Sequence, residues 1–75
     1  MWRKASPPKG DKISRRVASM SRSDLVAWSD QALYAVGRNL TAYQREPLPE
    51  YLQEAQTGAQ ALLAIVEEIK RREGV

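Results

Sequence analysis

Residues 48–69 read LPEYLQEAQTGAQALLAIVEEI, and this stretch decides the fold. Its apolar residues recur at alternating spacings of four and three, at Leu48, Leu52, Ala55, Ala59, Leu62, Val66 and Ile69. A repeat that persists over three heptads is typical of an amphipathic helix that packs against other helices. Pro49 suits the first turn of such a helix, where its missing N–H costs nothing, and Gly74 is a suitable stop. The sequence therefore predicts a helix over about residues 49–73.

A second helix is predicted upstream. Residues 21–24, SRSD, resemble a capping box in which Asp24 replaces the usual Glu; Ser21 is the expected N-cap and Ser23 is the alternative. The positions that follow at helical spacing are Val26, Ser29, Leu33, Val36, Leu40 and Tyr43. The pattern stops at REPLPE, because Pro47 disfavours helical geometry in the residue before it. We expect a helix over about residues 22–45 and a turn at 46–48.

Two helices of this length joined by about three residues predict an antiparallel αα-hairpin over residues 21–75. A hairpin is a single layer, and its apolar stripes are too broad for one partner helix to cover. We therefore expect an all-α four-helix bundle formed by homodimerisation, or docking on the helices of another protein. The side chains expected at this packing surface are Trp28, Leu33, Val36, Leu40, Leu52, Ala55, Ala59, Leu62, Val66 and Ile69.

Residues 1–20 differ in charge from the rest of the chain. They hold six basic side chains and one acidic one, a net charge of +5, whereas residues 21–75 hold six basic and eight acidic ones, a net of −2. The basic side chains are Arg3, Lys4, Lys9, Lys12, Arg15 and Arg16. Few apolar residues are available to order this segment, which predicts a flexible basic arm in which ISRRVASM (13–20) becomes helical on contact.

An acidic partner is expected for this arm. Nucleic acid, an acidic groove on a protein and, less favoured, an anionic membrane surface all fit its charge. A tail that serves only solubility is the remaining alternative.

One aromatic side chain is predicted to point away from the apolar stripe. Asp30, Tyr34 and Arg38 are spaced four residues apart on the polar side of the first helix. Tyr and Arg are enriched in contact surfaces, which makes this row a candidate exposed partner face. The alternative is a solvated helix face on which Tyr34 simply lies against Arg38 or Asp30.

The composition argues against catalysis. The chain has no Cys and no His, which removes thiolate nucleophiles, the usual zinc ligands and the commonest general base. Glycine-rich phosphate loops are absent as well. We expect no catalytic site, no cofactor, no metal site and no small-molecule substrate. Neither a secretory signal peptide nor an apolar run of transmembrane length is apparent, so a cytoplasmic location is expected.

These observations favour a small non-enzymatic interaction protein, an adaptor or regulator that acts through helix packing and contacts an acidic partner through its basic arm. The alternative is a nucleic-acid-binding protein in which a dimeric bundle presents two basic arms.

Overall fold

Three α-helices follow one another along the chain: α1 at Pro8–Ala18, α2 at Arg22–Arg45 and α3 at Pro49–Glu73. The structure is a computed structural model that describes the backbone of residues 8–74 and the side chains of residues 12–74. No residue of the described stretch lies in a strand. The all-α prediction is therefore confirmed.

Both ends of α2 follow from local sequence. The Ser21 side chain accepts a hydrogen bond from the backbone N–H of Asp24 at 3.1 Å, which satisfies one of the N–H groups that the first turn leaves without a helical partner. At the other end the backbone is extended at Glu46, directly before Pro47, as the clash of a proline ring with the preceding residue requires.

The ends of α3 are equally local. Pro49 occupies the first turn, and the negative charge of Glu50 beside it interacts favourably with the positive end of the helix dipole. Gly74 ends the helix with φ of 78°, a left-handed conformation that a side chain disfavours, and its N–H reaches back to the carbonyls of Lys70 and Arg71.

The helices α2 and α3 pack against each other, and they run antiparallel because residues 46–48 join the end of one directly to the start of the other. An ion pair between Arg22 and Glu73 joins the start of α2 to the end of α3. Leu25 of α2 and Ile65 of α3 are 0% and 1% exposed, and both belong to the hydrophobic core. Small residues fill the seam further along, where Ala32 and Ala55 are buried.

Gly58 fixes how closely the two helices approach. A Cβ atom placed on it would lie 2.8 Å from Cγ2 of Val36 and 3.1 Å from the carbonyl oxygen of Ala32. The backbone of α3 therefore lies directly against α2, with Gly58 opposite Ala32 and Val36.

The prediction that residues 1–20 form a flexible arm is wrong for residues 8–18, which form a helix, α1, that packs on α3. Val17 is 2% exposed, and Ile13 and Met20 pack against the same core. The physical reason is tertiary: Leu25 and Ile65 supply an apolar surface that stabilises a helix too short to persist alone. The chain thus has three helices in its described part rather than two.

Gly58→Ala is expected to lower the free energy of unfolding by about 1–2 kcal/mol, because the added methyl group overpacks the seam. That cost exceeds the gain from restricting glycine in the unfolded chain, which is about 0.5–1 kcal/mol. Chemical denaturation followed by circular dichroism measures the free energy of unfolding. The matched control is Thr57→Ala on the exposed side of the same turn, for which we expect no loss; equal stability of the two variants would contradict the close approach.

Candidate interaction surfaces

A row of large apolar side chains remains exposed on each long helix. On α2 Leu33 and Leu40 are 62% and 49% exposed, and on α3 Leu52 and Val66 are 42% and 52% exposed. We define the open face as the following exposed apolar residues of the two long helices: Val26, Leu33, Leu40, Leu52, Ala59, Leu63 and Val66.

The two rows lie on the same side of the α2–α3 layer. On each helix the exposed row follows, by one residue, a row that faces the other helix. When each helix is viewed along its own direction, the exposed row is therefore rotated by about 100° in the same sense. In an antiparallel pair, equal rotation in the same sense leads to the same side of the layer. The open face is therefore continuous across both helices.

The rows are also in register. Gly58 lies opposite Ala32 and Val36, and the helices run antiparallel, so the level of each α3 residue along α2 is fixed. The facing levels pair Val26 with Val66, Leu33 with Ala59, and Leu40 with Leu52. Each row has a seven-residue spacing, the spacing of helix-packing residues in bundles.

The packing helix α1 lies on the other side of the layer. Trp28 and Ala64, which pack against the core around Val17, are rotated from the seam in the sense opposite to the open face. One side of the α2–α3 layer is thus partly covered by α1, whereas the open face has no helix of the described chain against it.

The ten side chains predicted at a single packing surface divide between two surfaces. Leu33, Leu40, Leu52, Ala59 and Val66 lie on the open face. Ala55 is buried in the seam, and the remaining four, Trp28, Val36, Leu62 and Ile69, are half-buried inside the molecule. The predicted packing residues thus form two rows about 60° apart, one on the open face and one toward the inside of the molecule, because a heptad pattern contains two such rows.

Tyr34 points into solvent, as expected for the row Asp30, Tyr34 and Arg38. Its side chain is 66% exposed, and the guanidinium carbon of Arg38 lies 5.5 Å from the centre of its ring. This is a cation–π contact at an exposed site. A shallow groove along the outside of α2 includes all three residues and Gly37, and it borders the open face at Leu33.

The basic side chains of α1 that the structure describes, Lys12, Arg15 and Arg16, are all exposed. Arg16 also makes a contact within the chain, since its guanidinium carbon lies 4.8 Å from the centre of the Trp28 ring. Arg3, Lys4 and the Lys9 side chain fall outside the described residues. Of the basic residues predicted to contact an acidic partner, Lys12 and Arg15 therefore form an exposed edge of α1.

A buried carboxylate near the end of α3, which sequence reasoning did not single out as a site residue, holds α1 in place. Glu68 is 5% exposed and accepts hydrogen bonds from Nη2 of Arg71 and from Nε of Arg72, both at 2.6 Å. Arg72 in turn donates from Nη2 to the carbonyl oxygens of Val17 at 3.1 Å and Met20 at 2.7 Å. A cation that donates to carbonyls at a helix C-terminus is favourable.

Hydrogen bonds from Arg71 and Arg72 lower the pKa of Glu68 from its usual 4.5 to about 2. The i,i+4 spacing of Glu68 and Arg72 was visible in the sequence. Their burial was not, because it depends on where α1 packs. We call Glu68 and Arg72, with the α1 carbonyls, the α1 clamp.

The described residues supply little for other kinds of site. Across residues 12–74 no group of three or more acidic side chains is arranged to hold a metal ion. None of the three helices, as far as the structure describes them, combines the length and the apolar character that crossing a membrane requires.

Comparison of the chain with family models, with curated proteins and with solved structures found no match.

Acid is expected to weaken the α1 clamp. Because the pKa of Glu68 is lower in the folded protein than its usual 4.5, the stability that the ionised carboxylate contributes is complete above about pH 4.5 and is lost as the pH falls toward 2. Glu68→Gln should lower stability at neutral pH and flatten this acid-dependent part of the profile.

Denaturant unfolding at a series of pH values measures the effect. Glu67→Gln is the matched control, because this substitution removes the same charge at the exposed neighbour of Glu68. If both variants keep the acid profile of the unaltered protein, the clamp does not contribute to stability.

Proposed function

We propose that this protein is a non-enzymatic interaction protein that acts through helix packing, and that the open face is covered by a second copy of the chain. The dimer is a four-helix bundle of two α2–α3 layers, with each α1 on the outside. The observation that carries the proposal is the continuous, uncharged open face on the side of the layer opposite to α1. Large contiguous apolar patches on a protein surface mark interaction sites.

The area of the whole α2–α3 layer fits a stable dimer. The open face runs about 21 Å along α2, from Val26 to Leu40, and both helices continue beyond it. Two copies that pack over the whole helix length, on a surface of roughly 36 by 18 Å for helices about 9 Å apart, bury on the order of 1,300 Å² in total. Stable protein interfaces bury roughly 1,200–2,000 Å² in total.

The pattern of the face also favours a second copy. Its seven side chains are all apolar, so it offers nothing to a nucleic acid or to an acidic chain. The exposed row on α2, which is Val26, Leu33 and Leu40, has its centre at the same level as the exposed row on α3, which is Leu52, Ala59 and Val66. A copy related by a two-fold axis through this level therefore presents rows of matching spacing, as an isologous interface requires.

The exposed edge of α1 supports the second part of the proposal. Lys12 and Arg15 lie on the outside of the proposed bundle, where they contact an acidic partner, and the helix gives them a fixed spacing. We favour an acidic protein segment, because Arg16, Arg71 and Arg72 are already engaged within the chain. Binding of nucleic acid through α1 is the competing proposal, in which the bundle presents two such helices.

Leu33→Asp is expected to convert the dimer to a monomer, because it places an unpaired charge in the apolar interface. Sedimentation velocity gives the mass and circular dichroism the helix content. The control is Gln31→Asp, which adds the same charge on the exposed side of α2 away from the open face. A Leu33→Asp variant that remains dimeric, or equal dissociation of both variants, would contradict the proposal.

Arg15→Glu is expected to weaken binding of an acidic peptide roughly tenfold, since it replaces attraction by repulsion at the α1 edge. Fluorescence anisotropy with a labelled polyglutamate peptide and with a labelled DNA duplex measures it. Arg45→Glu makes the same charge change at the far end of α2 and should have little effect.

The salt dependence distinguishes the two kinds of partner. DNA affinity that exceeds peptide affinity and falls by orders of magnitude between about 50 and 200 mM salt would favour nucleic acid instead. Equal loss of peptide binding in both charge variants would show that α1 is not the contact.

A further inference from the structure

The charges on the outside of α2 are arranged symmetrically about Tyr34. Asp30 lies four residues before it and Arg38 four residues after it, so the two opposite charges are one helical turn away on either side. Within residues 12–74 neither is part of a salt bridge. A helix with this pattern is complementary in charge to an antiparallel copy of itself, because Asp30 of each copy meets Arg38 of the other.

Gly37 lies at the centre of the same edge. A Cβ atom added to it would have no heavy atom within 4 Å, so nothing inside the chain requires glycine there. Glycine in the interior of a helix is destabilising, and packing against another helix is a common reason for it. The groove that includes Gly37 begins at Leu33 of the open face and continues to Tyr34 and Arg38. The edge and the open face thus form one surface.

Two copies joined through their open faces have two arrangements available. In one, α2 lies antiparallel on α2 of the second copy; in the other, α2 lies on α3 of the second copy. The register places Asp30 at the level of Leu62 and Tyr34 at that of Gly58, and no basic residue of α3 lies within one helical turn of Asp30, so the second arrangement gives Asp30 no opposite charge. The first arrangement gives two ion pairs between Asp30 of one copy and Arg38 of the other. It also brings the two Tyr34 rings together above Gly37, which has no side chain to obstruct them.

We propose that the second copy packs with α2 antiparallel to α2, about a two-fold axis beside Tyr34. This inference rests on the proposed function, since it assumes that the open face forms a homodimer. It assigns a role to the Asp30, Tyr34 and Arg38 row as the edge that selects the arrangement of the bundle. It also places the two α1 helices at opposite ends of the dimer, where each binds its own acidic partner.

Charge reversal tests the pairing. Asp30→Arg and Arg38→Asp each place like charges together twice in a homodimer, and each should weaken dimerisation roughly tenfold. A mixture of the two variants restores both pairs, so heterodimers should form in preference to either homodimer. The double variant carrying Asp30→Arg and Arg38→Asp should recover the affinity of the unaltered chain. Sedimentation equilibrium and native mass spectrometry measure these affinities and the heterodimer fraction.

A cross-linking experiment tests the arrangement independently of charge. The chain has no Cys, so a single introduced thiol reports on one position. Tyr34→Cys should be joined efficiently in the dimer by a short thiol–thiol cross-linker. Ser23→Cys, on the same edge but eleven residues away, should not, because the two thiols then lie at opposite ends of the antiparallel pair.

The outcomes separate the two proposals. A monomeric unaltered chain overturns the proposed function and this inference with it. A dimer that Leu33→Asp dissociates, but in which mixed charge variants show no preference for heterodimers and Tyr34→Cys is not cross-linked, leaves the proposed function intact and overturns the arrangement. Preference for heterodimers together with selective cross-linking at residue 34 supports it.

Discussion

A layer of two helices has two sides, and the rest of this structure depends on how each side is covered. The seam between α2 and α3 is narrow, because Gly58 lets the two backbones approach closely. Because the seam is narrow, some large apolar side chains of both helices, such as Leu33 and Leu52, remain outside it. On one side α1 covers part of them, and on the other the open face remains. Domains are stable when such a layer packs against a second one, which the proposed dimer provides.

The ends of the long helices could be predicted from sequence because short-range chemistry determines them. Ser21 caps α2, Pro47 ends it and Gly74 ends α3, each through contacts within a few residues. The assignment of apolar residues to surfaces could not. A spacing of seven fits Leu52, Ala59 and Val66 on the open face as well as Ala55, Leu62 and Ile69 toward the seam. Only the packing of α2 against α3 decides between the rows.

Long-range contacts explain what sequence reasoning missed in the first twenty residues. The helix α1 is short and strongly basic, and alone it is unstable in water. Its order depends on Val17 reaching the core between α2 and α3 and on Arg72 donating to its last carbonyls. These contacts are long-range: Val17 lies 48 positions from Ile65, and Arg72 lies 52 positions from Met20. The same contacts convert part of a predicted arm into a helix that presents Lys12 and Arg15 at a fixed spacing.

Whether a second copy covers the proposed interface is tested by the mass in solution of the unaltered full chain, measured by light scattering behind a sizing column over a range of concentrations. We expect a stable dimer of about twice 8.5 kDa with high helix content. A monodisperse helical monomer of 8.5 kDa that persists at high concentration would contradict it.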